Sequence, residues 1–173
     1  MALLALAYPK LAASDLAWIE AHREQHDPDF TRVRPHFTLV FAISDFGEDA
    51  FVRELQERSD GVRRIEFELA LATLSRDASS DCFHEFLVPE SGYAAIVRLH
   101  DRLYSGLLSR HLRLDVDFIP HIGIGRDDDA LAAKARVDAL NQRALSIPGL
   151  IDALDVVEHD AARIATICRI GLA

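Results

Sequence analysis

Apolar and polar residues repeat along this chain with two periods, and the switches between them mark out its elements. Residues 2–8, "ALLALAY", form a short apolar run closed by Pro9 and predict a buried strand. "DLAWIEAHREQH" (15–26) predicts a helix capped by Ser14 and stopped before Asp27-Pro28. "VRPHFTLVF" (33–41) reads as a strand, and "EDAFVRELQER" (48–58) as a helix ended by "SDG". Strands follow over 63–74 and 81–88. In the first of them Ile65, Phe67, Leu69 and Leu71 share one side, with Glu66 and Glu68 on the other. Ile96, Leu99, Leu103 and Leu107 recur at helical spacing and predict a long amphipathic helix over 93–109. "HLRLDVDFIPHIGIG" (111–125) reads as an extended strand or strand pair. The acidic run Asp127–Asp129 caps a helix reaching about Leu145, its charge matched to the helix dipole. Residues 150–159 and 162–170 close the chain as two strands with a turn near Asp160.

This order predicts an α+β fold of mostly antiparallel strands, and its two halves repeat one another. "PHFTLV" (35–40) and "PHIGIG" (120–125) each carry Pro-His, an apolar residue, a small one and another apolar one. Each is followed by an acidic turn and a helix opening with Asp-Ala, at 49–50 and 129–130, which predicts an internal duplication. Strand alternation puts Val33, Phe37, Leu39 and Phe41 on one face and Arg34, His36 and Thr38 on the other. In the second copy Leu112, Leu114, Val116, Phe118, Ile122 and Ile124 oppose Arg113, Asp115, Asp117, His121 and Gly123. Both histidines therefore face away from the core. One outward histidine is ordinary surface. Two in matching frames make a candidate acid–base pair, because imidazole titrates near neutral pH. The frames differ at one place: Thr38 carries a hydroxyl, and Gly123 carries nothing.

Composition narrows the partners. At 173 residues and 50% hydrophobic, the chain can bury a core of its own, as one domain or as two small lobes sharing it. Its 28 acidic against 19 basic side chains give a net charge of −9, which argues against coating a long nucleic-acid duplex but not against binding one phosphorylated end. With only Cys82 and Cys168, no basic segment ahead of the first apolar run and no stretch long enough to span a membrane, a reduced, soluble cytoplasmic chain is expected.

The frame His36-x-Thr38, met again as His121-x-Gly123 about half a domain on, each on a strand with apolar flanks, resembles the paired His-x-Thr/Ser motifs of the 2H phosphoesterases, the superfamily of 2′-5′ RNA ligase-like proteins and cyclic nucleotide phosphodiesterases. The resemblance covers nearly the whole chain. It implies a single bilobal domain over 1–173, with antiparallel sheets lining a central groove and helices outside. It further implies metal-independent hydrolysis of 2′,3′-cyclic phosphates or related nucleotide and RNA-end phosphodiesters, without a cofactor. On this sequence His36 and His121 become the acid–base pair, with Thr38 and Gly123 at the phosphate. Gly123 departs from the family's Thr or Ser, so either its backbone N–H or a water replaces the missing donor, or the groove binds nucleotide or RNA ends without turnover. A monomer with a small phosphodiester partner and no membrane association is expected.

Other candidates are weaker. His22 and His26 in "HREQH" stand one helical turn apart, but no third metal ligand accompanies them and Glu24 falls on the far side of the helix. "GIGRDD" lacks the third glycine of a dinucleotide loop, and neither a Walker A nor a G-x-S-x-G sequence occurs. Arg34, Arg113 and Arg126 are candidates to neutralise phosphate, and Tyr8, Phe83 and Phe86 to stack on a base. His84, His100, His111 and His159 share no spacing and read as structural or surface residues.

Overall fold

The computed structural model describes residues 1–77, 80–160 and 164–173. It is built from strands β1 (Ala2–Ala7), β2 (Lys10–Leu11), β3 (Phe37–Ile43), β4 (Ile65–Arg76), β5 (Phe83–Ser91), β6 (Ile122–Asp127), β7 (Ile147–Ile151), β8 (Ala153–His159) and β9 (Ile164–Gly171). Helices α1 (Ala13–His26), α2 (Glu48–Ser59), α3 (Tyr93–Leu103) and α4 (Ala130–Asn141) intervene. The strands form two sheets, β3-β1-β8-β9 and β2-β7-β4-β5-β6, antiparallel throughout. The fold class is α+β, as the periodicities predict. No helix among the described residues is long and apolar enough to cross a membrane.

One apolar cluster joins the two sheets. Leu3 and Leu39 of the first sheet and Leu69 and Ile122 of the second all belong to it. Phe37 and Phe67 meet edge-on across the gap with ring centroids 5.0 Å apart, the arrangement that aromatic quadrupoles favour. Helices α1 and α4 pack on the five-stranded sheet, while α3 packs on α2 and on β3, β4 and β5. The start of β3 and the start of β6 are thereby held in one body.

Several boundaries differ from expectation for identifiable reasons. Ser14 does not cap α1: the helix begins at Ala13, Ala12 holds the cap position, and no side chain caps it. Asp129 does cap α4, accepting from the backbone N–H groups of Leu131 and Ala132. The β4 alternation slips at Ala70, where the β5 register shifts; Leu71 is turned outward, 47% exposed, and Ala72 is buried in its place. Helix α3 stops at Leu103, six residues before the predicted end, and residues 107–111 form a separate 3-10 turn. The break is fixed by Gly106, where a Cβ would collide with the Glu54 carboxylate that accepts from the Leu107 N–H.

The long strand over 111–121 does not form. β6 pairs with β5 only from Ile122 onward, and Pro120 has no N–H to offer a ladder. Asp115 instead pairs with Arg113, and Leu114 is 89% exposed. Residues 150–159 are two strands in different sheets, parted at Asp152. The Asp152 carboxylate binds Lys10 and Arg169, and its carbonyl accepts from the Leu172 N–H. The turn predicted near Asp160 runs into residues 161–163, outside the described residues.

Candidate active site

His36 and His121 each stand immediately before the first residue of a strand, β3 and β6. The two imidazoles are held the same way. Nδ1 of His36 lies 2.7 Å from the Arg34 carbonyl oxygen, and Nδ1 of His121 lies 2.6 Å from that of Ile119, in each case two residues back. A carbonyl only accepts, so Nδ1 carries the proton in both rings and Nε2 keeps its lone pair. Both rings line one cavity of about 170 Å³, with Thr38 and Gly123 beside them. That is smaller than the roughly 300–1,000 Å³ of a pocket that encloses a whole drug-sized ligand.

Electrostatics favour the neutral form of both rings. Burial lowers His121 to about 4, the neighbouring His36 and His84 adding to the effect and the backbone bond opposing it. Burial also lowers His36, with a smaller contribution from Arg23, again against its backbone bond. Both rings are thus held as neutral imidazoles. Negative charge placed beside an imidazole would act the other way, favouring its charged form.

The residues two places on are unequal. The Thr38 hydroxyl lines the cavity and has no hydrogen-bond partner among the described residues. At Gly123 no atom lies within 4 Å of where a Cβ would stand, so that corner of the site is open space. The β5 register shifts between Glu85 and Phe86, so that Glu85 faces Gly125 and Phe86 faces Gly123 with one residue to spare. This bulge re-aims the strand beside the histidine.

Each histidine rests on a buried ionic support of its own. Arg23, 1% exposed on α1, donates to the Val33 carbonyl at 2.7 Å and to Asp27 at 2.8 Å, and so holds the segment that delivers His36. Behind His121, Glu85 is fully buried and accepts from Arg136 at 2.8 Å, with His22 Nε2 3.3 Å away. Burial alone would raise the Glu85 carboxyl; the bonds from His22 and Arg136 outweigh it and hold the carboxyl below its usual range. Gly125 makes room for this carboxylate, since a Cβ there would stand 3.0 Å from Glu85 Oε2.

The other candidates separate cleanly. Arg126 is exposed at the cavity with no ion-pair partner among the described residues. Arg34 lies over the Tyr8 ring at 4.2 Å, next to His36 but outside the cavity lining, and Arg113 is spent on Asp115. Phe86 lines the cavity and stacks on His121 with centroids 3.5 Å apart, whereas Phe83 does not reach it. His22 bonds Glu85, and its ring lies 4.7 Å from that of His26. His100 is structural, donating from Nδ1 to the Leu39 carbonyl. His84 is a correction: it lines the cavity, a position its spacing did not signal. Arg23 and Glu85 had no sequence signal beyond being charges inside amphipathic elements.

Twin histidines entering one cavity from matching strand starts form the arrangement of a 2H phosphoesterase. The chain belongs to the 2′-5′ RNA ligase superfamily, whose profile matches residues 9–163. It is 25% identical over 122 residues to a provisionally named phosphoesterase of Halalkalibacterium halodurans, covering 69% of this chain and 67% of that protein. The fold resembles the crystal structure of TT0787 from Thermus thermophilus, with a TM-score of 0.68 at 13% identity over 99% of this chain and 98% of the other. It also resembles Escherichia coli LigT in apo form, with a TM-score of 0.56 at 19% identity over 99% and 97% of the two chains. LigT has been crystallised with 3′-AMP, phosphate, ATP and NADP+.

Proposed function

We propose that this protein is a metal-independent phosphoesterase acting on 2′,3′-cyclic phosphates or related nucleotide and RNA-end phosphodiesters. The observation that carries the reading is that His36 and His121, in the same backbone frame, line one small cavity. One Nε2 takes a proton from water as its oxygen attacks phosphorus in line. The other imidazole, protonated under the influence of the bound anion, gives its proton to the departing ribose oxygen. Thr38 donates to a non-bridging oxygen, and a backbone N–H or water serves on the Gly123 side, where charge grows in the transition state. Arg126 offsets phosphate charge at the rim. The nucleotides bound by LigT are consistent with a nucleotide-sized substrate extending out of the groove. The same reading treats residues 1–173 as one bilobal unit, a cytoplasmic monomer giving one histidine from each half.

The open corner at Gly123 favours a second reading, a nucleotide or RNA-end binding module without turnover. Initial rates on 2′,3′-cyclic nucleotides and on a short RNA ending in a cyclic phosphate separate the two. The enzyme reading expects turnover reduced by about 10²–10⁴ in both His36→Ala and His121→Ala. Saturable binding without turnover selects the binding module, and neither turnover nor binding rejects both.

A further inference from the structure

We propose that Asp77, Cys82 and His84 form a zinc-binding site on the wall of the groove. They sit where β4 leaves and β5 begins, and the Asp77 N–H donates to the Cys82 carbonyl at 3.0 Å, closing the backbone around them. Their ligand atoms lie within 4.8 Å of one another. Cys82 Sγ is 3.8 Å from Asp77 Oδ2 and 3.8 Å from His84 Nε2, and His84 Nε2 is 3.1 Å from Asp77 Oδ2.

Those separations are close to the edges of a zinc tetrahedron. With Zn–S near 2.3 Å and Zn–N and Zn–O near 2.0 Å, tetrahedral angles require about 3.5 Å between sulfur and either lighter ligand and about 3.3 Å between nitrogen and oxygen. The three donors are thus pre-arranged around one point, needing shifts of a few tenths of an ångström. A soft thiolate with imidazole and carboxylate selects zinc over magnesium or calcium. Cys82 is a free, buried cysteine, while Asp77 and His84 keep 26% and 30% of their side chains exposed, leaving a way in for the ion and a fourth position for water.

Protons balance simply. Coordination releases the Cys82 thiol proton to solvent, and the His84 proton moves to Nδ1 so that Nε2 can bind. Zn2+ with one thiolate, one carboxylate and a neutral imidazole carries no net charge. The Ser80 hydroxyl, 2.9 Å from Cys82 Sγ, is placed to donate to the thiolate and orient it. The ion takes no part in proton transfer at the phosphate. It ties down His84, whose ring stacks 5.8 Å from Phe86, which in turn lies 3.5 Å from His121. It therefore fixes one wall of the cavity and clamps the end of the β4–β5 hairpin.

The test is a titration of the reduced, metal-free protein with Co2+, reading the thiolate-to-cobalt charge-transfer absorption and the visible bands of tetrahedral cobalt, followed by displacement with Zn2+. The expected result is saturation at one Co2+ per chain, reversed by Zn2+. The charge-transfer absorption is absent in Cys82→Ser, and Zn2+ affinity falls at least about tenfold in Asp77→Asn and His84→Gln. Cys168→Ser binds as the wild type does. Absence of absorption in the wild type overturns the proposal, as does its survival in Cys82→Ser or its loss in Cys168→Ser. Far-ultraviolet circular dichroism checks each fold; if Cys82→Ser is unfolded, His84→Gln and Asp77→Asn decide the matter. None of these readouts depends on phosphoesterase activity.

Discussion

The region that positions His36 and the region that positions His121 share one local geometry built from different materials. Both turn Nδ1 onto a carbonyl two residues back and leave Nε2 without a hydrogen-bond partner among the described residues. The His36 side then adds a hydroxyl at Thr38 and stands on the Arg23 clamp. The His121 side adds no hydroxyl, stacks its ring on Phe86 and stands on the Glu85–Arg136 pair beneath a bulge. The constant element is the one that sets proton position. On the proposed function the variable elements are those that hold the phosphate oxygens, and there the two sides are free to diverge.

Breaking the supports has the largest expected effect. Glu85→Ala leaves Arg136 with Asp127 alone and empties a fully buried site. A loss of about 3 kcal/mol is expected, at the lower end for a broken buried pair because Arg136 keeps part of its solvent contact. Urea unfolding midpoints measure it. Removing the one hydroxyl comes next: Thr38→Ala makes the two sides alike and is expected to lower turnover by about a hundredfold with little change in stability. Initial rates together with unchanged urea midpoints check this.

Acid separates the halves in a third way. His121 stays neutral in the fold until about pH 4, whereas an unfolded imidazole titrates near 6.5. Its depressed value has no effect on stability above pH 6.5, and stability is lost as pH falls from there through the folded value. The loss reaches about 3 kcal/mol at most. Comparing unfolding of the wild type and His121→Asn at pH 7 and pH 4.5 isolates it: the acid loss shrinks in the variant. The smallest expected effect is a gain. Gly123→Thr finds open space, restores a donor on the weaker side and raises turnover by about tenfold, the worth of one hydrogen bond to a charged group.

What was legible in the sequence follows the same division. The Pro-His frames could be read because strand alternation is local, and the repetition of one local pattern is visible without knowing what it packs against. The extended reading of residues 111–121 failed because alternation shows which residues would share a face, not whether a partner strand is there to pair with. Leu71 failed for a related reason: the slip at Ala70 is imposed by pairing with β5. Arg23 and Glu85 join the site through a neighbour 63 residues away, as with His22 and Glu85, or through a backbone carbonyl, as with Arg23 and Val33. Neither relation leaves a spacing signature.

The central claim is that two imidazoles in matching frames serve one phosphate. Side-chain nitrogen NMR of His36 and His121, titrated with pH in the absence and presence of inorganic phosphate, tests it most directly. The account predicts the Nδ1–H tautomer for both rings, both titrating below pH 6.5 in the free protein, and both moving upward together when phosphate binds. An Nε2–H tautomer at either ring, or a phosphate response confined to one of them, would contradict it.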